Sequence, residues 1–316
     1  FGAILINIPF SGAEGVMSSL FAIGIEMNEI MPLVLFIGIG AMIDFGPLLS
    51  NPKLFLFGGA AQFGIFLTIL LAAACGFSIE DAASIGIIGA ADGPTSIVVA
   101  QTLKSNYVGP IMVVAYSYMA LVPIIQPAVI KLTTTKKERL IRMEYKPASV
   151  SKRTKILFPI LVTIVSGLIA PASLSLVGML MFGNLIRECG VLNYLTDTAK
   201  DVLTNLVTLF LGITIAFTMK AENFITVQTL MIMGLGLCAF IFDTFSGVML
   251  AKVMNLFLKE KINPMIGAAG ISAFPMSARI VQKMGIKEDP TNHLLMHAVG
   301  ANVSGQIASA IVGGLI

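Results

Sequence analysis

Apolar runs of bilayer length recur from one end of this chain to the other, and few folds accommodate them. A helix needs about 20 apolar residues to cross a membrane. Residues 54–77, 109–130, 156–170, 202–219, 225–256 and 293–316 reach or approach that length, with shorter runs at 30–45 and 174–186. Charged residues make up only 12% of the 316, against about 25% in soluble domains, and mean hydropathy is +0.92. Lipid satisfies no backbone polar group, so spans of this composition are helices. The expected fold class is an all-α polytopic membrane protein with about eight to eleven transmembrane segments. A soluble protein with a large core does not fit this pattern. The chain opens Phe1-Gly2-Ala3-Ile4-Leu5, without an initiator Met and reading like the end of a helix. The expectation is that one or more segments precede it.

The basic residues are unevenly placed. Residues 131–155 hold nine of the 20, namely Lys131, Lys136, Lys137, Arg139, Arg142, Lys146, Lys152, Arg153 and Lys155, against Glu138 and Glu144. Basic loops stay on the cytoplasmic side, so this loop is expected inside. It sets orientation and can also dock an acidic partner or anionic lipid. It divides the chain into residues 1–130 and 156–316, two membrane halves.

A weak repeat relates the halves. Gly89, Pro94, Ser96 and Gln101 recur at the same spacing as Gly270, Pro275, Ser277 and Gln282. Upstream, Leu35-Phe36-Ile37-Gly38-Ile39 pairs with Leu209-Phe210-Leu211-Gly212-Ile213. Each half therefore has an apolar helix with an internal Gly and a later Pro-broken or re-entrant segment. Corresponding broken segments point to a transporter's central site. Glu80 and Asp81 precede the first copy, Lys259 and Lys261 the second. That contrast favours inverted repeats.

Asp92 lies inside the first broken segment, Gly89-Ala90-Ala91-Asp92-Gly93-Pro94-Thr95-Ser96. A charge at bilayer depth costs roughly 2.5–3.5 kcal/mol even on a lenient scale. Pro94 removes an amide donor and disfavours helix at Gly93. Freed carbonyls, Asp92, Thr95 and Ser96 together offer oxygens to a small hard cation. The alternative is that Asp92 merely caps a helix.

The second broken segment, residues 263–279, has no carboxylate; its polar groups include Asn263, Ser272, Ser277 and Arg279. Arg279 either snorkels to the interface or faces an anion or Asp92. Tyr118 sits mid-span and can ligate a cation or pass a proton, or is a core tyrosine; Tyr116 faces a different side of the helix. In the last segment, His297, Asn302, Ser304, Gln306 and Ser309 serve helix packing or an ion path. Asp44 reads as a helix-end residue and Asp243 as a second-tier intramembrane carboxylate. Cys75, Cys189 and Cys238 lie far apart without metal-site spacing. No nucleotide loop, hydrolase triad or zinc motif is present. The residues alone lead to a Na⁺- or H⁺-coupled carrier with two broken helices.

Longer motifs extend this reading. Gly89–Thr95, Ala115–Pro123 and the run from Asn263-Pro264 to Arg279 resemble the β subunit of the sodium-pumping biotin-dependent decarboxylases. So do Asp44-Phe45-Gly46-Pro47-Leu48-Leu49, residues 178–185, and Leu295-Met296-His297-Ala298 with Asn302-Val303-x-Gly305. The resemblance is colinear over the whole chain. The family includes the oxaloacetate, methylmalonyl-CoA and glutaconyl-CoA decarboxylases.

The resemblance implies a translocase subunit that decarboxylates carboxybiotin, exports Na⁺ and consumes an external proton. It places the Na⁺-linked aspartate at Asp92 and the functional tyrosine at Tyr118. The functional Asn, Gly, Ser and Arg fall at Asn263, Gly267, Ser272 and Arg279. Na⁺ is then expected at Asp92, Asn263, Gly267 and Ser272, proton transfer at Tyr118 or Ser272, and the carboxybiotin anion at Arg279. Thr95, Ser96, Asp44, Ser277 and Asn302 are secondary candidates. The implied partners are a carboxyltransferase subunit, a biotin carrier, a small membrane subunit and further β copies, with no nucleic acid. The implied location is the bacterial cytoplasmic membrane. The alternative is a Na⁺/carboxylate symporter or Na⁺/H⁺ antiporter without decarboxylase activity.

Overall fold

The computed structural model describes residues 2–8, 12–27, 29–145 and 150–316. Lys146 of the basic loop lies outside them. All regular secondary structure among the described residues is helical. The ten principal helices are α1 (Ile30–Met42), α2 (Pro52–Ala74), α3 (Gly93–Thr102), α4 (Val108–Thr133), α5 (Lys152–Ile169), α6 (Leu174–Cys189), α7 (Asn193–Thr218), α8 (Val227–Phe257), α9 (Met276–Glu288) and α10 (Leu295–Gly313). Every apolar run identified in the sequence thus forms a helix.

Five of them, α2, α4, α7, α8 and α10, are long and apolar enough to cross a membrane. A sixth span results if Glu14–Glu26 and α1, bent by 63°, count as one. This is fewer than the eight to eleven segments expected, for physical reasons. Helix α5 begins with Lys152, Arg153 and Lys155, α6 has only 16 residues, and the broken segments are built of short helical pieces.

Local chemistry sets the boundaries. Ser78, Ser151 and Thr226 each accept a backbone amide at a helix start, the role for which hydroxyl residues are favoured there. Thr135 and Glu138 form a reciprocal capping box in the basic loop. Gly190 ends α6 in the left-handed conformation at φ 70°.

Packing relies on small residues, as expected where lipid gives no hydrophobic drive between helices. A Cβ at Gly40 would lie 1.9 Å from the Leu180 carbonyl oxygen, and one at Gly183 would lie 2.0 Å from that of Ile37. Helices α1 and α6 therefore cross backbone to backbone. Gly247 of α8 abuts Gly267 in the same way, and Gly305 of α10 abuts Gly270. Helix α8 forms the spine of the fold, packing on α2, α4 and both broken segments.

The two halves share one order of elements. A long helix (α2 or α8) leads into a broken segment, which a further long helix (α4 or α10) follows.

The basic loop is strapped to the second half. Asn263 donates to the carbonyls of Arg139 and Ile141, both at 2.8 Å. Arg139 pairs with Glu288 at 2.7 Å, Arg142 with Asp289 at 2.6 Å, and Lys252 with Glu138 at 3.1 Å.

Candidate functional site

The first broken segment unwinds in two steps. A 3₁₀ turn, Ile87–Ala90, ends at Ala91, which takes a left-handed φ of 54°. A non-glycine residue there carries backbone strain, and such strain collects at functional breaks. Asp92 then adopts an extended conformation and α3 begins at Gly93 with Pro94 in its first turn. The carboxylate thus meets the positive end of a ten-residue helix.

Asp92 is buried, 4% exposed, and its environment is rich in oxygen. Thr95 Oγ1 donates to Asp92 Oδ2 at 2.8 Å. Ser96 Oγ donates to the Asp92 carbonyl at 2.9 Å. From α10, Gln306 Nε2 donates to Asp92 Oδ2 at 2.7 Å. The Tyr116 ring packs so closely on Gly93 that a Cβ there would lie 2.4 Å from the ring. The Tyr116 hydroxyl is buried and has no hydrogen-bond partner.

The second broken segment meets the first two residues away from Asp92. Ser272 donates to the Ala90 carbonyl from its hydroxyl at 2.6 Å and from its amide at 3.2 Å. Asn302 of α10 donates to the Ile271 carbonyl at 2.6 Å, and its own Oδ1 is buried without a partner. Gln126 bridges Ser277 and the Ala268 carbonyl, the latter at 2.7 Å. Two backbone breaks, one carboxylate and one turn of α10 therefore converge at one buried point.

Not every residue named from the sequence reaches that point. Asp92, Thr95, Ser96 and Ser272 do, and Asn302 bonds the carbonyl of Ile271, the residue before Ser272. Asn263 instead anchors the basic loop through Arg139 and Ile141. Gly267 is a crossing point with Gly247. Tyr118 donates to the Met233 carbonyl of α8. Arg279 is exposed on α9 and forms no ion pair with a described residue. Asp44 accepts the Gly46 amide at 2.8 Å and pairs with Lys155 and Arg187 at 3.3 and 3.8 Å, away from the breaks.

Two contacts emerge only from the fold. Gln306 is one of five residues of the last segment read as serving packing or an ion path, and nothing local shows that it reaches Asp92. Tyr116, rather than Tyr118, lies against the Asp92 break.

A separate cavity of about 950 Å³ opens beside the basic loop. Lys53, Arg142, Lys259 and Lys261 line it against Glu144 and Glu260. His297 also lines it; that side chain is 7% exposed and its Nε2 has no partner.

A family model described as the Na⁺-transporting oxaloacetate decarboxylase beta subunit matches residues 1–316. The methylmalonyl-CoA decarboxylase subunit beta of Propionigenium modestum is 52% identical over 342 residues, covering 100% of this chain and 86% of that protein. The glutaconyl-CoA decarboxylase subunit beta of Acidaminococcus fermentans is 50% identical over 317 residues, covering 99% and 84%. The oxaloacetate decarboxylase beta chain of Klebsiella pneumoniae is 50% identical over 317 residues, covering 98% and 73%. This all-helical membrane chain belongs to the beta-subunit family of the Na⁺-transporting decarboxylases.

Proposed function

We propose that the chain decarboxylates carboxybiotin presented by a partner biotin carrier and couples that step to Na⁺ export and uptake of an external proton. The observation that carries this reading is the buried Asp92 carboxylate at the meeting of two broken segments, held by Thr95 and Gln306. Na⁺ is a hard cation and selects oxygen ligands. Asp92, Thr95 and Ser96 provide them, and Ser272 ties in the opposite half. An uncompensated carboxylate charge is costly at a buried site, and either a bound cation or a proton offsets it, so Na⁺ and a proton compete for this centre.

Carboxybiotin is an anion and needs a cationic cradle. The cavity beside the basic loop fits an anion, with four cationic side chains and the unpartnered His297 Nε2 in its wall. It lies next to Ile262 and hence to the start of the second broken segment. Arg279 belongs to the same segment and stays a candidate for the anion, as does Tyr118 for the proton.

Residues 1–130 and 156–316 form two inverted repeats in this reading, and residues 131–155 face the cytoplasm of a bacterial cell. Three relatives of near-equal identity carry three different substrates in their names, two CoA esters and one free acid. Choice of the acid therefore belongs to another subunit, a carboxyltransferase. A small membrane subunit and further copies of this chain complete the complex.

The test is ²²Na⁺ movement in sealed vesicles holding the assembled complex. Na⁺ transport driven by a carboxylated biotin carrier supports the proposal. Na⁺ transport by this chain alone, with an organic acid or against protons and without biotin, establishes the secondary-transporter alternative instead.

A further inference from the structure

Asp243 is a second buried carboxylate that the Asp92 cluster leaves unused. It lies midway along α8 and is 0% exposed. Its Oδ1 accepts the Ile65 amide at 3.2 Å, just after the turn at Ala61 and Gln62 in α2. Its Oδ2 is buried and has no hydrogen-bond partner. Two glycines press against it: a Cβ at Gly64 would lie 2.5 Å from Oδ1, and one at Gly89 would lie 2.4 Å from Oδ2. Gly89 is three residues before Asp92 in the first broken segment.

We propose that Asp243 is a proton-carrying carboxylate on the path that feeds the Asp92 centre, separate from the Na⁺ site. The geometry selects the proton over a metal cation. Na⁺ needs several oxygens around it, and Asp92 has them. Asp243 Oδ2 has no hydrogen-bond partner, and the hydrogen bond its carboxylate accepts comes from the Ile65 amide, a donor that cannot ligate a cation. A proton needs no coordination shell. It adds to Oδ2, forms an O–H bond and leaves the group neutral, which removes the cost of an unpaired buried anion. On release, the proton passes on and the carboxylate recovers its charge.

The surroundings provide no competing cation. The described pieces packed on α8 at this level, Phe55–Ala60, Phe63–Ala74, Ile87–Ala90 and Met265–Ala268, contain no charged residue. Ile79–Gly86 carries Glu80 and Asp81 at its far end. Helix α8 itself carries Cys238 and, nearer its end, Lys252. Helix α4, also packed on α8, carries Tyr116, Tyr118 and, in its last turn, Lys131; Tyr118 and, beyond Gly89, Asp92 lie on the same route.

Tyr118 gives the route a direction. Its hydroxyl donates to the Met233 carbonyl, and its ring lies against Gly236. Gly236 and Asp243 are seven residues apart and so share a face of α8. The Phe257 end of α8 leads to Asn263 and the basic loop. Tyr118 therefore sits between Asp243 and the membrane side away from that loop. The unpartnered buried hydroxyls of Thr68 and Thr244 add polar groups on α2 and α8.

The proposal rests on the proton-and-Na⁺ reading above, so its test has a readout independent of turnover. Infrared difference spectra of the assembled complex are recorded as pH is lowered, with and without saturating Na⁺. A protonated-carboxyl band that persists in Na⁺, survives Asp92→Asn and vanishes in Asp243→Asn supports the proposal. Turnover of Asp243→Asn then falls about 100-fold, the scale of a lost proton-transfer group, with Na⁺ half-saturation unchanged. A band that survives Asp243→Asn, or that Na⁺ abolishes, overturns it. If Asp243→Asn does not assemble, Asp243→Glu decides: a shifted band supports the proposal and an unshifted band overturns it. A complex without Na⁺-linked turnover sinks the functional reading, while the infrared titration still decides Asp243.

Discussion

Gln306 Nε2 and Asp92 Oδ2 lie 2.7 Å apart, joining the last helix to the break of the first half. The bond holds the carboxylate in one orientation. Gln306→Leu leaves that oxygen short of a buried donor, a loss of about 1–3 kcal/mol. The expected outcome is a roughly tenfold or greater rise in the Na⁺ concentration giving half-maximal decarboxylation. Na⁺ titration of the purified complex measures it; an unchanged value removes Gln306 from the site.

Ser272 ties the two broken segments together through the Ala90 carbonyl. Ser272→Ala keeps the amide bond and loses the hydroxyl bond, at about 1 kcal/mol. Both Na⁺ half-saturation and thermal stability in detergent are expected to shift. A shift in stability alone marks Ser272 as structural.

Tyr116 and Tyr118 are expected to separate in function. Tyr116 packs on the Asp92 break, while Tyr118 reaches the Met233 carbonyl. Tyr116→Phe is expected to change Na⁺ half-saturation. Tyr118→Phe is expected to lower turnover and alter its pH profile at constant Na⁺ affinity. Identical profiles for the two variants contradict the assignment.

Gly267 lies where a Cβ would meet the Gly247 carbonyl oxygen at 1.9 Å. Gly267→Ala forces α8 and the second broken segment apart, at about 1–3 kcal/mol. Thermal unfolding of the variant is expected several degrees lower, with Na⁺ stimulation lost in parallel. Full stability with lost Na⁺ stimulation points to a direct ligand role instead.

Asp44 provides a pH signature outside the ion path. Burial raises its carboxyl, but the Gly46 amide, Lys155 and Arg187 together hold it below the ordinary value of 3.8. A depressed folded value means that the contribution is present above the unfolded value and is lost as pH falls through the folded one. The side chain is 41% exposed, so solvent screening limits the effect to less than about 1 kcal/mol. Asp44→Asn is therefore expected to lower the melting temperature slightly near neutrality, with the difference closing below about pH 4.

The helices were legible because apolar runs are local signals, as residues 109–130 and 225–256 illustrate. Asp92 was legible because a charge in lipid needs a reason. The bond from Gln306 was not, because its partner is 214 residues away and its own helix is full of small polar residues. The loop-anchoring contacts of Asn263 were hidden for the same reason: both acceptors are backbone carbonyls, which leave no trace in side-chain spacing. The span count differed because hydropathy does not report where a Pro or a cluster of lysines ends a helix.

The central claim is that Asp92 carries Na⁺ at the crossing of the two broken segments. Its most direct test is Na⁺ dependence of carboxybiotin decarboxylation by the assembled complex with Asp92→Asn. The account predicts that Na⁺ stimulation disappears while the variant still assembles. Full Na⁺-stimulated decarboxylation at the wild-type Na⁺ concentration would contradict it.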